Sequence, residues 1–398
     1  MARALAILGM VAVHFGPYSP DTSTLLGWIY RSTYGRASVL FVLLAGVGVS
    51  LLFRARPADQ ARIQIAWRVI VFFPLGVALQ ALPTPFAVIL QFYAMYYLLG
   101  GLVGTVPTKV LAPMTLLWTA IGPIWFLTVN DPSLAGRGTA TTVSEPMQVL
   151  TDLLVDGFYP LITWAPPLLV GVLIGRSDLR DTTTRVALTA GGLVTAAASY
   201  GGSLVARQVA PPEIASSPFL LSEGHTGAPL NVVGATGVAV AVLGLCLLLV
   251  SALPRVTWPW VAAGQMALTI YVGHLLVLAA VPELLEARDS VIAAVGKVSR
   301  FYVVVLVACT LWRLRFRRGP LEAMLTLPFK RSHPDPAPSD GYRRRQPDLT
   351  EETTGWESRS QRSWVATSPE LPSKLAPTPS LRSTSTSTSP SGMPPLND

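Results

Sequence analysis

Residues 35–53 read GRASVLFVLLAGVGVSLLF. After Arg36 the run from Ala37 to Phe53 contains no charge, and its only polar side chains are Ser38 and Ser50. A strand is rarely this long, and a soluble amphipathic helix would alternate polar and apolar faces. A bilayer core needs about 20 predominantly apolar helical residues, which this segment nearly supplies. The reading is a transmembrane helix, because a helix satisfies all of its backbone hydrogen bonds internally where no water can.

The same pattern recurs along the chain. Further apolar runs cover Ala2–Phe15, Ile65–Ala81, Phe86–Val106, Val110–Val129, Tyr159–Ile174, Thr184–Val205, Leu230–Ser251, Trp258–Val281 and Val291–Leu311. The expected fold is therefore all-α, a polytopic integral membrane protein of about ten transmembrane helices. Composition agrees: of 398 residues 51% are hydrophobic and 13% charged, and the mean hydropathy is +0.48. Soluble domains carry about 25% charge. Residues 1–330 form the expected membrane domain. From Arg331 onward Pro, Ser and Thr dominate, ending in STSTSTSPSG at 383–392. Such a segment cannot bury a core, so a disordered tail is expected at 331–398. Between them, Gly319–Lys330 reads as a short interfacial helix.

The net charge of +8 does not imply nucleic acid, because the arginines gather at the edges of apolar runs and in the tail. Arg54, Arg56, Arg62 and Arg68 lie between the second and third runs; Arg176, Arg180 and Arg185 between the sixth and seventh; Arg255 after the eighth; and Arg313, Arg315, Arg317 and Arg318 after the tenth. The alternate loops carry fewer basic residues. By the positive-inside rule both termini are expected in the cytoplasm, in a cell membrane. Cys246 and Cys309 lie inside apolar runs, and the four histidines form no metal-ligand spacing, so neither a disulfide framework nor a metal is expected.

The chemistry-bearing residues are few. Arg3 and His14 bracket the first run, eleven positions apart, which places them near one face about 16 Å apart in height. His274 stands mid-span within QMALTIYVGHLLV, residues 265–277, with Tyr271 on nearly the same face. His225 begins GHTGAPLNVVGATG after Gly224 and, with Thr226 and Asn231, sits where the eighth run starts. Asp156, Tyr159 and Trp164 mark a similar position before the sixth. Ionisable groups inside a membrane are costly and usually face a wet cavity or a partner. A neutral histidine there can serve as a general base. Each also fits a packing role, hydrogen-bonded to a neighbour. Gly100 with Gly104, and Gly171 with Gly175, read as helix-packing pairs, and Tyr93, Tyr96 and Tyr97 as an interhelical stripe.

Five segments in order resemble a known family. RALAILGMVAVHF (3–15) and GRASVLFVLLAGVGVSLL (35–52) look like the first two helices of bacterial membrane acyltransferases. DGFYPLITWAPPLLVGVLIGR (156–176), GHTGAPLNVVGATGVAVAVLGLCLLL (224–249) and AAGQMALTIYVGHLLV (262–277) resemble later segments of the heparan-alpha-glucosaminide N-acetyltransferase-like catalytic-domain family. The resemblance implies an acyl group, in all expectation acetyl, moved from acyl-coenzyme A to a sugar or other small hydroxyl or amine acceptor. It implies His14 as the base that activates the acceptor, with Arg3 orienting donor or helix and His225 and His274 as further candidates; charge and topology, rather than the resemblance, suggest Arg54, Arg56 and Arg68 as the groups that meet the coenzyme's phosphates. The expected partners are the lipid bilayer and a small-molecule or glycan acceptor, with no nucleic acid; a homo-oligomer is left open. The chain departs from the family in two places. Met1 and Ala2 stand where an Asp and a basic lead are usual, which points to a start placed late. Animal lysosomal relatives carry Asn where His14 aligns and their catalytic His in the next loop, whereas residues 16–34 here hold none. A transporter or flippase, or a catalytically silent scaffold, suits the same membrane topology from physics alone.

Overall fold

A computed structural model of the chain describes residues 1–17, 20, 22–130, 146–285 and 290–326. The tail expected at 331–398 lies outside the described residues. Every apolar run named above contains a helix. The helices are α1 (Ala2–Phe15), α2 (Leu25–Arg31), α3 (Arg36–Ala55), α4 (Ala58–Gln80), α5 (Leu90–Val103), α6 (Thr108–Val129), α7 (Pro146–Thr151), α8 (Leu161–Ile174), α9 (Thr182–Val209), α10 (Pro212–Ala215), α11 (Pro229–Ala252), α12 (Pro254–Gln265), α13 (Ala267–Ala280), α14 (Val291–Arg315) and α15 (Pro320–Met324). Among the described residues no strand occurs. Among the described residues five helical stretches are long and apolar enough to cross a membrane, or six if α12 and α13 form one span. Helices α1, α5 and α8 are apolar but shorter, and α9 is long but less apolar. The protein is a polytopic helical membrane protein.

The shortness of α1 has a physical explanation. Fourteen residues rise only about 21 Å, yet ten of the fourteen are buried, among them Ile7, Met10 and His14. Helices α3, α12, α13 and α14 all pack on α1. A helix surrounded by protein need not match the bilayer thickness. Two hydroxyls reach its carbonyls from outside: Tyr302 of α14 donates to Ala4 O (2.6 Å) and Tyr30 of α2 donates to Ala12 O.

Glycine sets the closest approach in the bundle. A Cβ on Gly46 of α3 would collide with Leu168 O of α8, and one on Gly171 of α8 with Leu43 O of α3. The two backbones therefore touch reciprocally, as small residues permit in membranes. Gly175 faces Ser50, and Gly100 and Gly104 face Val49 and Phe53, so both glycine pairs read from sequence lie at helix contacts.

Two local features depart from the sequence expectation. The run from Phe86 becomes helical only at Leu90. Before it, the Pro83–Pro85 turn is held by one amide: Gln80 Nε2 donates to Phe86 O (3.1 Å), and Gln80 Oε1 accepts from Val88 N (2.7 Å). More consequentially, the run Trp258–Val281 is not one continuous span. It bends by 68° between α12 and α13, with Met266 in a non-helical conformation. The amides exposed at the start of α13 find a carboxylate: Glu322 Oε1 accepts from Leu268 N (2.7 Å) and Thr269 N (3.0 Å), and Oε2 from Thr269 Oγ1 (2.6 Å). A carboxylate at a helix N-terminus is doubly favourable, as hydrogen-bond acceptor and as charge against the helix dipole. Glu322 belongs to α15, which packs on α13, with Trp67 Nε1 donating to Met324 O (3.2 Å).

Candidate functional site

Helix α1 carries Arg3 at one end and His14 at the other, and each faces a different cavity. The Arg3 cavity, about 180 Å³, is also lined by Arg68, Tyr93, Tyr97, Tyr271 and Glu322. The His14 cavity, about 270 Å³, is also lined by Ser38, Phe86, Phe158, Tyr159 and His225. The two lining sets share no residue, and a layer of side chains separates the cavities.

That layer contains a histidine pair. His14 Nδ1 lies 3.0 Å from His274 Nε2, although 260 residues separate them. His274 is fully buried, and His14 is 7% exposed. The proton positions follow from a carbonyl. His274 Nδ1 lies 3.3 Å from Ile270 O, one turn back on α13. A carbonyl only accepts, so Nδ1 of the neutral His274 ring carries the proton and Nε2 the lone pair. His14 Nδ1 then donates to that lone pair, which leaves the basic lone pair of His14 on Nε2. This arrangement meets one requirement of a general base, a ring oriented through one nitrogen by a fixed partner. Phe86 stacks on the His14 ring at 4.0 Å between centroids, and Tyr271 meets His274 edge-on at 5.3 Å. Tyr271 also lines the Arg3 cavity, and its hydroxyl accepts from Ile89 N (3.1 Å). Tyr271, His274 and His14 thus run in sequence from one cavity to the other.

His225 sits across the His14 cavity. Its backbone adopts φ +64°, in the left-handed region that non-glycine residues seldom occupy. Phe158, Tyr159 and Trp164 surround the ring at 4.3, 5.4 and 5.8 Å between centroids. A hydrogen bond to the Phe158 backbone engages the imidazole, and burial pushes its pKa down to about 4. Its Nδ1 is buried with no hydrogen-bond partner among the described residues. The sequence segments 156–164 and 224–231 therefore meet, as aromatic wall and histidine. The loop between them and α11 is closed internally, with Asn231 Nδ2 donating to Ser222 O (3.1 Å) and Thr226 Oγ1 to Glu223 O (2.9 Å). Nearby, Asp152 is buried in a π-helical turn and accepts from Gln148 Nε2 (2.8 Å); burial raises its pKa.

The arginines divide. Arg68 lines the Arg3 cavity and lies 5.3 Å over the Tyr97 ring. Arg54 instead donates to Gly175 O and Ser177 O, both at 3.0 Å, and Arg56 to the Gln64 side-chain oxygen at 2.6 Å. These two tie helix ends together and are not among the lining residues of either cavity. Three lining groups escaped the sequence reading. Tyr93 and Tyr97, read as a packing stripe, face the Arg3 cavity, and the buried Tyr93 hydroxyl has no hydrogen-bond partner among the described residues. Glu322 arrives from a helix remote in sequence, with no local signal to mark it.

The fold and site define a class: a multi-helix membrane protein with a buried histidine pair between two cavities. Residues 181–327, from the start of α9 through α15, match a family described as a protein of unknown function (DUF418). The match includes His225, His274 and Glu322 and excludes α1 with Arg3 and His14. Among curated proteins none matches the chain.

Proposed function

We propose that the chain is a membrane acyltransferase in which His14 is the general base. The observation that carries this reading is the His14–His274 pair, which leaves His14 Nε2 basic on the wall of a cavity. The acceptor, a sugar or other small molecule with a hydroxyl or amine, occupies the His14 cavity. The acyl-coenzyme A donor approaches from the Arg3 cavity, where Arg3 and Arg68 meet its anionic groups. That end faces the cytoplasm of a cell membrane by the charge asymmetry of the loops. The acceptor's O–H or N–H proton passes to Nε2, a C–O or C–N bond forms at the thioester carbonyl, the C–S bond breaks, and the departing thiolate takes up the proton. Tyr271 and His274 stand between the cavities, so the thioester must pass them to reach His14.

Purified chain supplied with labelled acetyl-coenzyme A and a panel of sugars and amines should transfer label, and His14→Ala should abolish the transfer. Undiminished transfer by that variant removes the assigned role. A second reading, a transporter, is favoured by the 68° break between α12 and α13, since broken helices commonly hold substrates in transporters. Flux of a candidate substrate into liposomes without any acyl donor supports that reading instead.

A further inference from the structure

A third cavity, about 400 Å³, opens beside the His14 cavity; Trp28, Arg31, Ser32, Tyr34, Arg36 and Ser222 are among its lining residues. We propose that it binds the net-anionic phosphomonoester head group of a membrane amphiphile, in preference to a zwitterionic one.

Charge comes first. Among the described residues the one ion pair is Arg207–Glu223, at 3.6 Å. Glu223 also lines the cavity, but its carboxylate is shared with Arg207, and its Oε2 accepts from Ser222 N (3.3 Å). Arg31 and Arg36 face no carboxylate among the described residues. Arg36 is held in place: its Nε donates to Tyr200 OH (3.0 Å), its Nη1 to Ser32 O (3.1 Å), and its guanidinium lies 4.6 Å over the Tyr200 ring. Arg31 is exposed at the end of α2. Ser32 Oγ is committed to Ile29 O (2.5 Å), so one fixed and one exposed guanidinium, with the Ser222 hydroxyl, are the groups that suit the tetrahedral oxygens of a phosphate.

The membrane is implicated by α2 itself. Thr24 caps this seven-residue helix by accepting from Gly27 N (3.1 Å). Gly27 and Tyr30 turn inward, while Leu25, Trp28 and Ile29 are 75%, 62% and 49% exposed. Such an outward face belongs among acyl chains and glycerol groups, with the tryptophan at head-group level. An anion held by Arg31 would have its lipid tails beside that face. A free phosphate has no use for it.

The two neighbouring cavities share Tyr34. Their common wall is thin, because Gly35, at φ +73°, packs directly on Gly224, leaving no room for a Cβ. An amphiphile with its phosphate at Arg31 and Arg36 can therefore present an adjoining hydroxyl or amine toward His14 and His225. This last step, that the bound amphiphile is the acceptor, rests on the acyltransferase reading; the binding site does not.

The test uses the full chain purified into phosphatidylcholine vesicles containing a minor share of spin-labelled phosphatidic acid or, in parallel, spin-labelled phosphatidylcholine. The expected result is selective immobilisation of phosphatidic acid. Arg31→Gln should weaken that selectivity about fivefold, as loss of one basic residue at a membrane surface does. Arg31→Lys should retain most of it, and Arg313→Gln, at the opposite end of the bundle, all of it. Equal immobilisation of the two lipids, or unchanged selectivity in Arg31→Gln, overturns the proposal. So does complete displacement of the lipid by millimolar inorganic phosphate, which would make this a soluble-anion site. No acyl donor is present, so absence of acyl transfer leaves the lipid result intact, and absence of lipid selectivity leaves the acyltransferase reading to its own assay.

Discussion

Replacing Glu322 by Ala should loosen the junction of α13 and α15 and expose the start of α13. The carboxylate accepts three hydrogen bonds there, from Leu268 N, Thr269 N and Thr269 Oγ1. Loss of a side-chain cap costs about 1 kcal/mol. The charge of a carboxylate against a helix N-terminus adds about 0.5–1 kcal/mol. Leu268 is itself buried, so its amide cannot simply turn to bulk water, which moves the expected loss toward about 2 kcal/mol. Hydrogen exchange reads this locally. The Leu268 and Thr269 amides should exchange about 30-fold faster in Glu322→Ala, the factor equivalent to that free energy. Glu322→Gln, which keeps one acceptor oxygen, should fall between. Amides on α9 and α11, remote from the junction, should not change. Trp67 should also become more accessible as α15 leaves, because its indole N–H is bonded to Met324 O. Exchange at Leu268 and Thr269 within threefold of the parent, with an unchanged melting temperature, would refute the claim that Glu322 holds the break together.

Gly171→Val should lower thermal stability by about 3 kcal/mol, because its side chain meets the Leu43 carbonyl across the α3–α8 contact; Gly171→Ala should cost less, and thermal unfolding in detergent checks both. Stability should also depend on pH through His225. Its folded pKa is about 4 against a reference of 6.5, so stability is complete above the unfolded value and falls as pH drops from about 6.5 through 4, by on the order of 3 kcal/mol. His225→Asn, which tolerates the same backbone conformation, should flatten that part of the stability–pH profile. In the transfer assay, His14→Ala should lose at least about 100-fold in rate, as removal of a general base does. His274→Ala should lose less and should alter the pH–rate profile, since His14 keeps its imidazole but not the partner that fixes its tautomer.

Much of the architecture was legible in the sequence, because the physics that makes a membrane helix is local. An apolar run long enough to cross hydrocarbon must be helical wherever its neighbours lie, and the runs at 37–53, 110–129 and 230–251 all became helices within a few residues of the reading. The helical repeat likewise placed Arg3 and His14 at opposite ends of one helix, and Tyr271 beside His274. Small residues at Gly171 and Gly175 signalled contact, although not with which helix. The tertiary structure decided the rest. Hydropathy has no term for the bend at Met266, which persists because a carboxylate from α15 satisfies the exposed amides. A short α1 is tolerable only because other helices enclose it. Above all, the sequence presents His14 and His274 as separate residues, each equally suited to packing. Folding places them 3.0 Å apart, and the Ile270 carbonyl then assigns their protons. A hydrogen bond across 260 residues has no local pattern; it exists because α1 and α13 pack together, and that packing makes His14 Nε2 the basic atom.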